Sequence, residues 1–160
     1  IYVSRYPNQY LSQDFVSVTL KSDKDYDETH PSGSALDDIF RFITVTPYPF
    51  IQSGYNETYD WIDSDQLALF ENYYPRTVKE ERNFTLGREN VFPVNKPLSQ
   101  LSPEDLTLLG RGQVFFTPND PLAVILPQVQ PTLSKTHTFT VTMTTDDGKV
   151  LSDTITMTFK

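Results

Sequence analysis

The sequence predicts a mainly β protein, an antiparallel β-sandwich built from short strands. Threonine and apolar residues alternate in several segments, most clearly over residues 137–160, and this period of two is typical of strands. The chain is also rich in aromatic residues, with 11 Phe and 9 Tyr, which favour β structure. Finally, 12 prolines interrupt the 160 residues so often that few helices longer than about three turns fit between them.

Residues 137–160 predict a β-hairpin. Its apolar face holds Phe139, Val141 and Met143 of the first strand and Ile155, Met157 and Phe159 of the second, and threonines occupy the other face. A two-residue loop would set apolar residues opposite polar ones, so we expect a three-residue loop over residues 146–148 with Gly148 in the left-handed conformation. This register leaves one acidic residue, Asp153, on the buried face.

Four further segments predict strands. Residues 12–20 alternate between apolar and polar side chains, residues 39–46 carry apolar side chains on both faces, and residues 113–117 and 122–126 are largely apolar. The second of these segments suits a central strand. Between the first two, the polar residues 21–34 predict a mobile surface loop.

We expect a single domain over residues 1–160, with residues 47–103 as a proline-rich insertion that carries short helices. The prolines and aromatics of residues 47–59 exclude a central strand, because proline donates no hydrogen bond to a sheet, and we expect a loop there. Residues 76–92 predict two weak strands, or a strand and a loop.

Capping signals predict two short helices within or next to this insertion. Asp63 or Ser64 caps a helix of two to three turns that ends at Pro75. Ser102 and Asp105 form a capping-box pattern around a proline at the first helical position, and predict a second short helix.

Composition excludes several classes of function. The net charge of −8 is spread along the chain, so the basic surface that binds nucleic acid or anionic lipid is missing. The absence of cysteine excludes disulfides, thiolate metal sites and cysteine nucleophiles. No apolar run approaches the roughly 18 residues that a membrane helix needs. Because the chain begins at Ile1 rather than Met, we expect a mature form from which a targeting segment has been removed.

The sequence offers little for catalysis. His30 and His137 are the two histidines, and neither stands at a metal-ligand spacing or beside a recognisable nucleophile motif. Acidic residues flank Trp61, but Asp63 among them is better explained as a helix cap than as one of two hydrolytic carboxylates. We therefore expect no enzyme activity and no cofactor.

One acidic segment is a weak metal candidate. Asp23, Asp25 and Asp27 alternate as the first ligands of a calcium loop do. The match then fails, since Glu28 stands where that loop needs glycine and Ser34 where it needs a bidentate glutamate. We favour a solvated acidic loop.

Aromatic residues of the middle region form the candidate binding set. These are Tyr48, Tyr55, Tyr59, Trp61, Tyr73 and Tyr74. Their flat rings with polar rims suit stacking on sugar rings or a protein interface. They also suit packing of the insertion onto the sandwich, which we favour because buried aromatics dominate core energetics.

The segment QPTLSKTHTFTVTMTTDDGKVLSDTITMTF, residues 130–159, resembles the closing hairpin of small envelope proteins of unknown function from Bacteroidetes. In that family a T-x-T-F-T-V strand and a D-G-[KR] turn end an immunoglobulin-like domain. The resemblance implies an immunoglobulin-like sandwich that is secreted or lipid-anchored and has been cut after its anchoring cysteine.

Together these observations predict a non-enzymatic, extracytoplasmic binding or assembly domain at the bacterial cell envelope. Its partner would be a protein or a glycan, and any lipid anchor would lie outside the given chain. Two alternatives stay open. One is a pilus-like or structural subunit that pairs through an exposed strand edge. The other is a glycan-binding module that uses the middle-region aromatics.

Overall fold

The structure is a computed structural model that describes residues 2–3, 12–79, 87–109 and 120–160, and its framework is two antiparallel sheets. Its strands are β1 (Tyr2–Val3), β2 (Phe15–Ser22), β3 (Phe40–Thr46), β4 (Phe92–Pro97), β5 (Ala123–Pro127), β6 (Thr136–Thr145) and β7 (Val150–Thr158). The predicted mainly β class is confirmed. The strand predicted over residues 113–117 lies outside the described residues.

The order of strands is β1-β5-β3-β4 in one sheet and β2-β6-β7 in the other. β3 pairs with both β4 and β5, so the central strand predicted over residues 39–46 is confirmed. Its two faces are both covered, because Phe40 and Phe42 point into one hydrophobic cluster while Ile43 and Val45 point into another.

Inward-facing residues of both sheets share the first of these clusters. β2 contributes Leu20, β3 contributes Phe40 and Phe42, and β6 contributes Phe139, each of them 1% exposed or less. The rings of Phe40 and Phe139 lie 5.5 Å apart in an edge-to-face arrangement, which is a favourable aromatic geometry. Burial stabilises the fold by about 1.5–3 kcal/mol for each such side chain, so this cluster holds the two sheets together.

The C-terminal hairpin has the predicted register and turn. Phe139 pairs with Ile155, and the three-residue loop lies between Thr145 and Lys149. The Gly148 N–H donates to the Thr145 carbonyl at 2.9 Å, and the φ of Gly148 is +83°. This is the left-handed position that the turn requires.

The buried face of this hairpin, however, extends less far than the alternation predicts. Val141 and Phe139 of β6 are buried, whereas Ile155 of β7 is 40% exposed and Asp153 is exposed as well. The reason is that β7 is the edge strand of its sheet, and the opposite sheet leaves its middle uncovered. The acidic residue predicted on the buried face is therefore solvated.

The segment predicted as a mobile surface loop, residues 21–34, is anchored in the core. Tyr26 at its centre is fully buried, its O–H donates to the Val129 carbonyl at 2.7 Å, and its ring packs 5.7 Å from that of Phe40. Burial raises the pKa of Tyr26 to about 12. Most of these residues are exposed, as predicted for a surface loop, but the burial of Tyr26 was not predicted because a single aromatic in a polar stretch leaves no periodic signal.

Both capping predictions are confirmed. α2 (Ser64–Tyr73) begins at Asp63, whose carboxylate accepts from the N–H groups of Asp65 and Gln66 at 3.0 Å. α3 (Pro103–Leu106) begins at Ser102, which exchanges hydrogen bonds with Asp105.

Elsewhere the middle region differs from prediction. α1 (Tyr48–Gln52) replaces the expected loop, because proline suits the first turn of a helix. A π-helical turn, Pro75–Lys79, begins the segment predicted as two weak strands or a strand and a loop, and residues 80–86 of that segment lie outside the described residues. β4 joins the four-stranded sheet although it contains two prolines, which an edge strand tolerates because one side of it makes no ladder hydrogen bonds.

Replacing Gly148 by alanine should destabilise the fold by about 1 kcal/mol, because a Cβ disfavours positive φ. Nothing lies within 4 Å of the added Cβ, so the backbone conformation alone sets this cost. The free energy of unfolding measured in urea checks the loss. Gly148→Asn is the matched control and should lose less, since asparagine adopts the left-handed conformation more readily. A neutral alanine variant would contradict the assigned turn.

Candidate functional site

Two of the six candidate aromatics are core residues. Trp61 is 7% exposed, and its indole N–H donates to the Arg88 carbonyl at 2.9 Å. Tyr74 is 1% exposed, and its O–H donates to the Ile43 carbonyl at 2.8 Å. Both rings belong to the second hydrophobic cluster, which packs the middle region onto the outer face of the four-stranded sheet.

The other four candidates do not form a common exposed face. Tyr48, Tyr59 and Tyr73 are partly buried, and Tyr59 packs edge-to-face on Trp61 with 5.1 Å between the ring centroids. Tyr55 is 66% exposed and leans against Phe50 of α1. The set therefore serves mainly to pack the middle region, with Tyr55 as its exposed member.

Truncation of Trp61 and Tyr55 to alanine should separate these roles. Trp61→Ala should lower the free energy of unfolding by about 3 kcal/mol or more, because it empties a buried site. Tyr55→Ala should change it by less than about 1 kcal/mol, because the side chain is largely in water already. Urea denaturation of both variants measures the difference. Equal losses would show that Trp61 does not carry the packing seen here.

The three alternating aspartates bind main-chain and side-chain donors of their own loop and its neighbour. Asp23 accepts from the Thr138 N–H at 2.7 Å, which lowers its pKa. Asp25 accepts from the Ser32 N–H at 2.7 Å. Asp27 accepts from the N–H and hydroxyl of Thr29, and the hydroxyl contact contributes most to lowering its pKa to about 2. Across the described ranges, no group of three or more acidic, histidine or cysteine side chains is placed to hold a metal ion.

His30 bridges two carboxylates at the edge of this loop. Its Nδ1 lies 2.8 Å from Asp27 Oδ1, and its Nε2 lies 3.1 Å from Asp38 Oδ1. Partial burial acts to lower the pKa of His30, but the hydrogen bonds to Asp27 and Asp38 outweigh it and raise the pKa above the ordinary 6.5. The protonated ring thus clamps residues 27–38, a role that sequence spacing did not reveal.

The His30 clamp should make stability depend on pH. Because the pKa is raised in the folded state, its contribution is complete below the unfolded pKa and is lost as pH rises through the folded pKa. The difference in free energy of unfolding between wild type and His30→Gln should therefore be larger near about pH 5 than near about pH 9. Urea denaturation across this range measures it. Asp38→Asn should shift the transition to lower pH, and a difference independent of pH would refute the clamp.

His137 is buried and fully occupied by structural hydrogen bonds. Its Nε2 donates to the Ser134 carbonyl at 2.6 Å, and its Nδ1 shares a hydrogen bond of 2.7 Å with the Ser22 hydroxyl. The ring also stacks on Phe139 at 5.5 Å. It therefore joins β6 to β2 and has no free nitrogen for acid–base chemistry.

The outer edge of β7 presents main-chain groups that pair with no other described strand. The Thr145 N–H donates to the Lys149 carbonyl, and the Phe159 N–H donates to the Lys135 carbonyl. In an antiparallel ladder this alternation turns the N–H and C=O groups of residues 150, 152, 154, 156 and 158 away from β6. Among the described strands β7 pairs with β6 alone, and its side chains are exposed along most of its length. We call this row of groups the β7 edge.

The outer sheet edges other than β7 carry protection. β1 has two residues, and β4 contains two prolines and Lys96. β2 is irregular between Phe15 and Ser17, and residues 33–37 cover its other end. There the carbonyls of Leu20 and Ser22 accept from the N–H groups of residues 36 and 33, respectively. The Leu20 N–H donates to the carboxylate of Asp37.

β7 has nine residues with no proline, no lysine and no irregular pairing. One side chain protects it. Asp153 accepts from the outward N–H of Thr154, its own neighbour, at 2.8 Å, in the middle of the edge. The β7 edge is thus the least guarded pairing surface of the described strands.

No protein-family model, curated protein or solved structure matches this chain. Within the part of the chain that the structure describes, no helix is long and apolar enough to cross a membrane. The candidate site therefore stands on its geometry alone, and that geometry points to the β7 edge.

Proposed function

We propose that this protein is a non-enzymatic, extracytoplasmic domain of the bacterial cell envelope that binds or assembles by strand addition at the β7 edge. The observation that carries the proposal is the nine-residue edge strand whose outward main-chain groups and side chains face solvent. The occupant is an extended strand of another polypeptide, as in other cases of recognition by strand addition.

Main-chain pairing supplies the affinity in this mode. Residues 150, 152, 154, 156 and 158 each turn an N–H and a carbonyl outward, and of these the Thr154 N–H donates to the Asp153 carboxylate. Each hydrogen bond formed with an added strand contributes about 0.5–1.5 kcal/mol net. An added strand would also cover the inner row of β7, in which Leu151 and Met157 are partly buried and Ile155 is 40% exposed. Both gains require a strand, because a globular surface would satisfy neither the row of donors nor the row of apolar side chains.

We further propose that the two sheets form an immunoglobulin-like sandwich. The shared cluster of Leu20, Phe40, Phe42 and Phe139 supports face-to-face packing. The likeness of residues 130–159 to the closing hairpin of Bacteroidetes envelope proteins supports the same fold and the envelope location.

Strand addition is favoured over glycan binding by the aromatic set. A glycan-binding face needs several exposed rings side by side, whereas Trp61 and Tyr74 are buried and Tyr55 is the one exposed member of the six. The pilus-like alternative is the form of strand addition in which the donated strand comes from another subunit of an assembly.

A peptide with the β6 sequence THTFTVTMT is a direct probe, because β6 is the natural neighbour of β7. It should bind saturably, measured by fluorescence anisotropy, and should slow amide exchange over residues 150–158. Thr156→Pro removes an outward N–H while leaving the β6–β7 ladder intact, and should weaken binding by about tenfold or more.

Two controls make this test decisive. Thr156→Val keeps the N–H and should bind as wild type does, with both variants checked for folding by circular dichroism. N-methylation of alternate amides in the peptide should abolish binding for one set and spare it for the other, since a strand pairs through one of its edges. Binding that ignores both changes, or no binding at all, would overturn strand addition at β7.

A further inference from the structure

Asp153 lies in an otherwise apolar row at the centre of the β7 edge. Its neighbours along the inner face of β7 are Leu151 and Ile155, and the residue opposite it on β6 is Val141. No ion pair in the described ranges involves Asp153. The carboxylate is exposed and is satisfied in part by the Thr154 N–H at 2.8 Å.

That hydrogen bond places Asp153 in competition with any incoming strand. The Thr154 N–H points outward, so a strand paired along the whole edge must replace the carboxylate as its acceptor. The displaced carboxylate then faces the side chain that the partner places opposite it. The nature of that side chain decides whether the exchange is favourable.

A second copy of β7 is a poor occupant for this reason. Antiparallel self-pairing keeps apolar faces together when the paired residue numbers have an even sum. In the register that pairs all nine residues, Thr154 of one copy lies opposite Thr154 of the other. Asp153 of one copy is then diagonally across the strand pair from Asp153 of the other. Like charges on diagonal positions, about 7–8 Å apart, repel each other, and the net charge of −8 on each copy adds to the repulsion.

Resting on the proposed strand addition, we propose that Asp153 selects the partner strand: the donated strand carries Lys or Arg where it faces Asp153 and apolar residues at the flanking inward positions. The same carboxylate keeps β7 from pairing with a second copy. The β7 edge therefore does not pair with β7 of a second copy of this chain, but binds a basic, amphipathic strand of a different polypeptide.

Three versions of the THTFTVTMT peptide test this selection, with Lys, Val or Glu at the position that corresponds to Val141. Against wild type the lysine peptide should bind most tightly and the glutamate peptide most weakly, with a ratio of about tenfold between them. Against Asp153→Asn that ratio should fall below about twofold. Asp146→Asn makes the same charge change in the hairpin turn, away from the edge, and should preserve the preference.

The outcomes separate this inference from the proposed function. Equal binding of the lysine and glutamate peptides to wild type, or a preference that survives in Asp153→Asn, overturns the selective role of Asp153 while leaving strand addition intact. Failure of all three peptides to bind wild type overturns strand addition and the inference together.

Self-association tests the second half of the proposal without any peptide. Asp153→Thr should raise the dimeric fraction in sedimentation velocity by about threefold or more over wild type at equal concentration, because it removes the repulsive carboxylates. Asp146→Asn should sediment as wild type does. If Asp153→Thr and wild type sediment alike at every concentration, Asp153 does not prevent self-pairing.

Discussion

The structure depends on burying the inner row of β6. His137, Phe139, Val141, Met143 and Thr145 of this row are all buried, while the intervening threonines face outward. β6 is the middle strand of its sheet, so its main chain is paired on both sides and its inner side chains meet the opposite sheet. Aromatic rings surround its first half: the Phe139 ring lies within 6.4 Å of those of Tyr26, Phe40 and Phe159. Removing water from this one row therefore requires both sheets and the loop of residues 21–34 to be in place.

The parts of this fold that follow from sequence are those governed by short-range rules. Alternation with a period of two predicted which residues of β6 and β7 share a face, and turn chemistry at Gly148 predicted their register. The capping box at Ser102 and the cap at Asp63 were predicted for the same reason, since each is a contact between residues three or fewer positions apart.

The parts that sequence could not predict depend on how far one sheet extends over the other. Alternation places Ile155 on the inner face but does not tell whether anything covers it. Tyr26 stands in a polar loop, and its burial depends on contacts with Phe40 and Val129, which are distant from it in sequence. The same holds for the candidate site. Pairing through an exposed edge was foreseen as a mode, but which edge is free follows from the strand order, and that order is a property of the whole chain.

The way an edge is protected also indicates what it is protected from. Proline, as in β4, removes donors and blocks every partner alike, and a covering segment such as residues 33–37 on β2 does the same. A single carboxylate blocks some partners and not others, because its effect depends on the charge of the strand that approaches it. Asp153 repels an acidic strand, including that of a second copy, and attracts a basic one. If solubility were the sole requirement, lysine or proline in β7 would serve it as well as they do in β4. The presence of aspartate in an unbroken nine-residue edge is better explained by an edge that must stay available to one kind of strand.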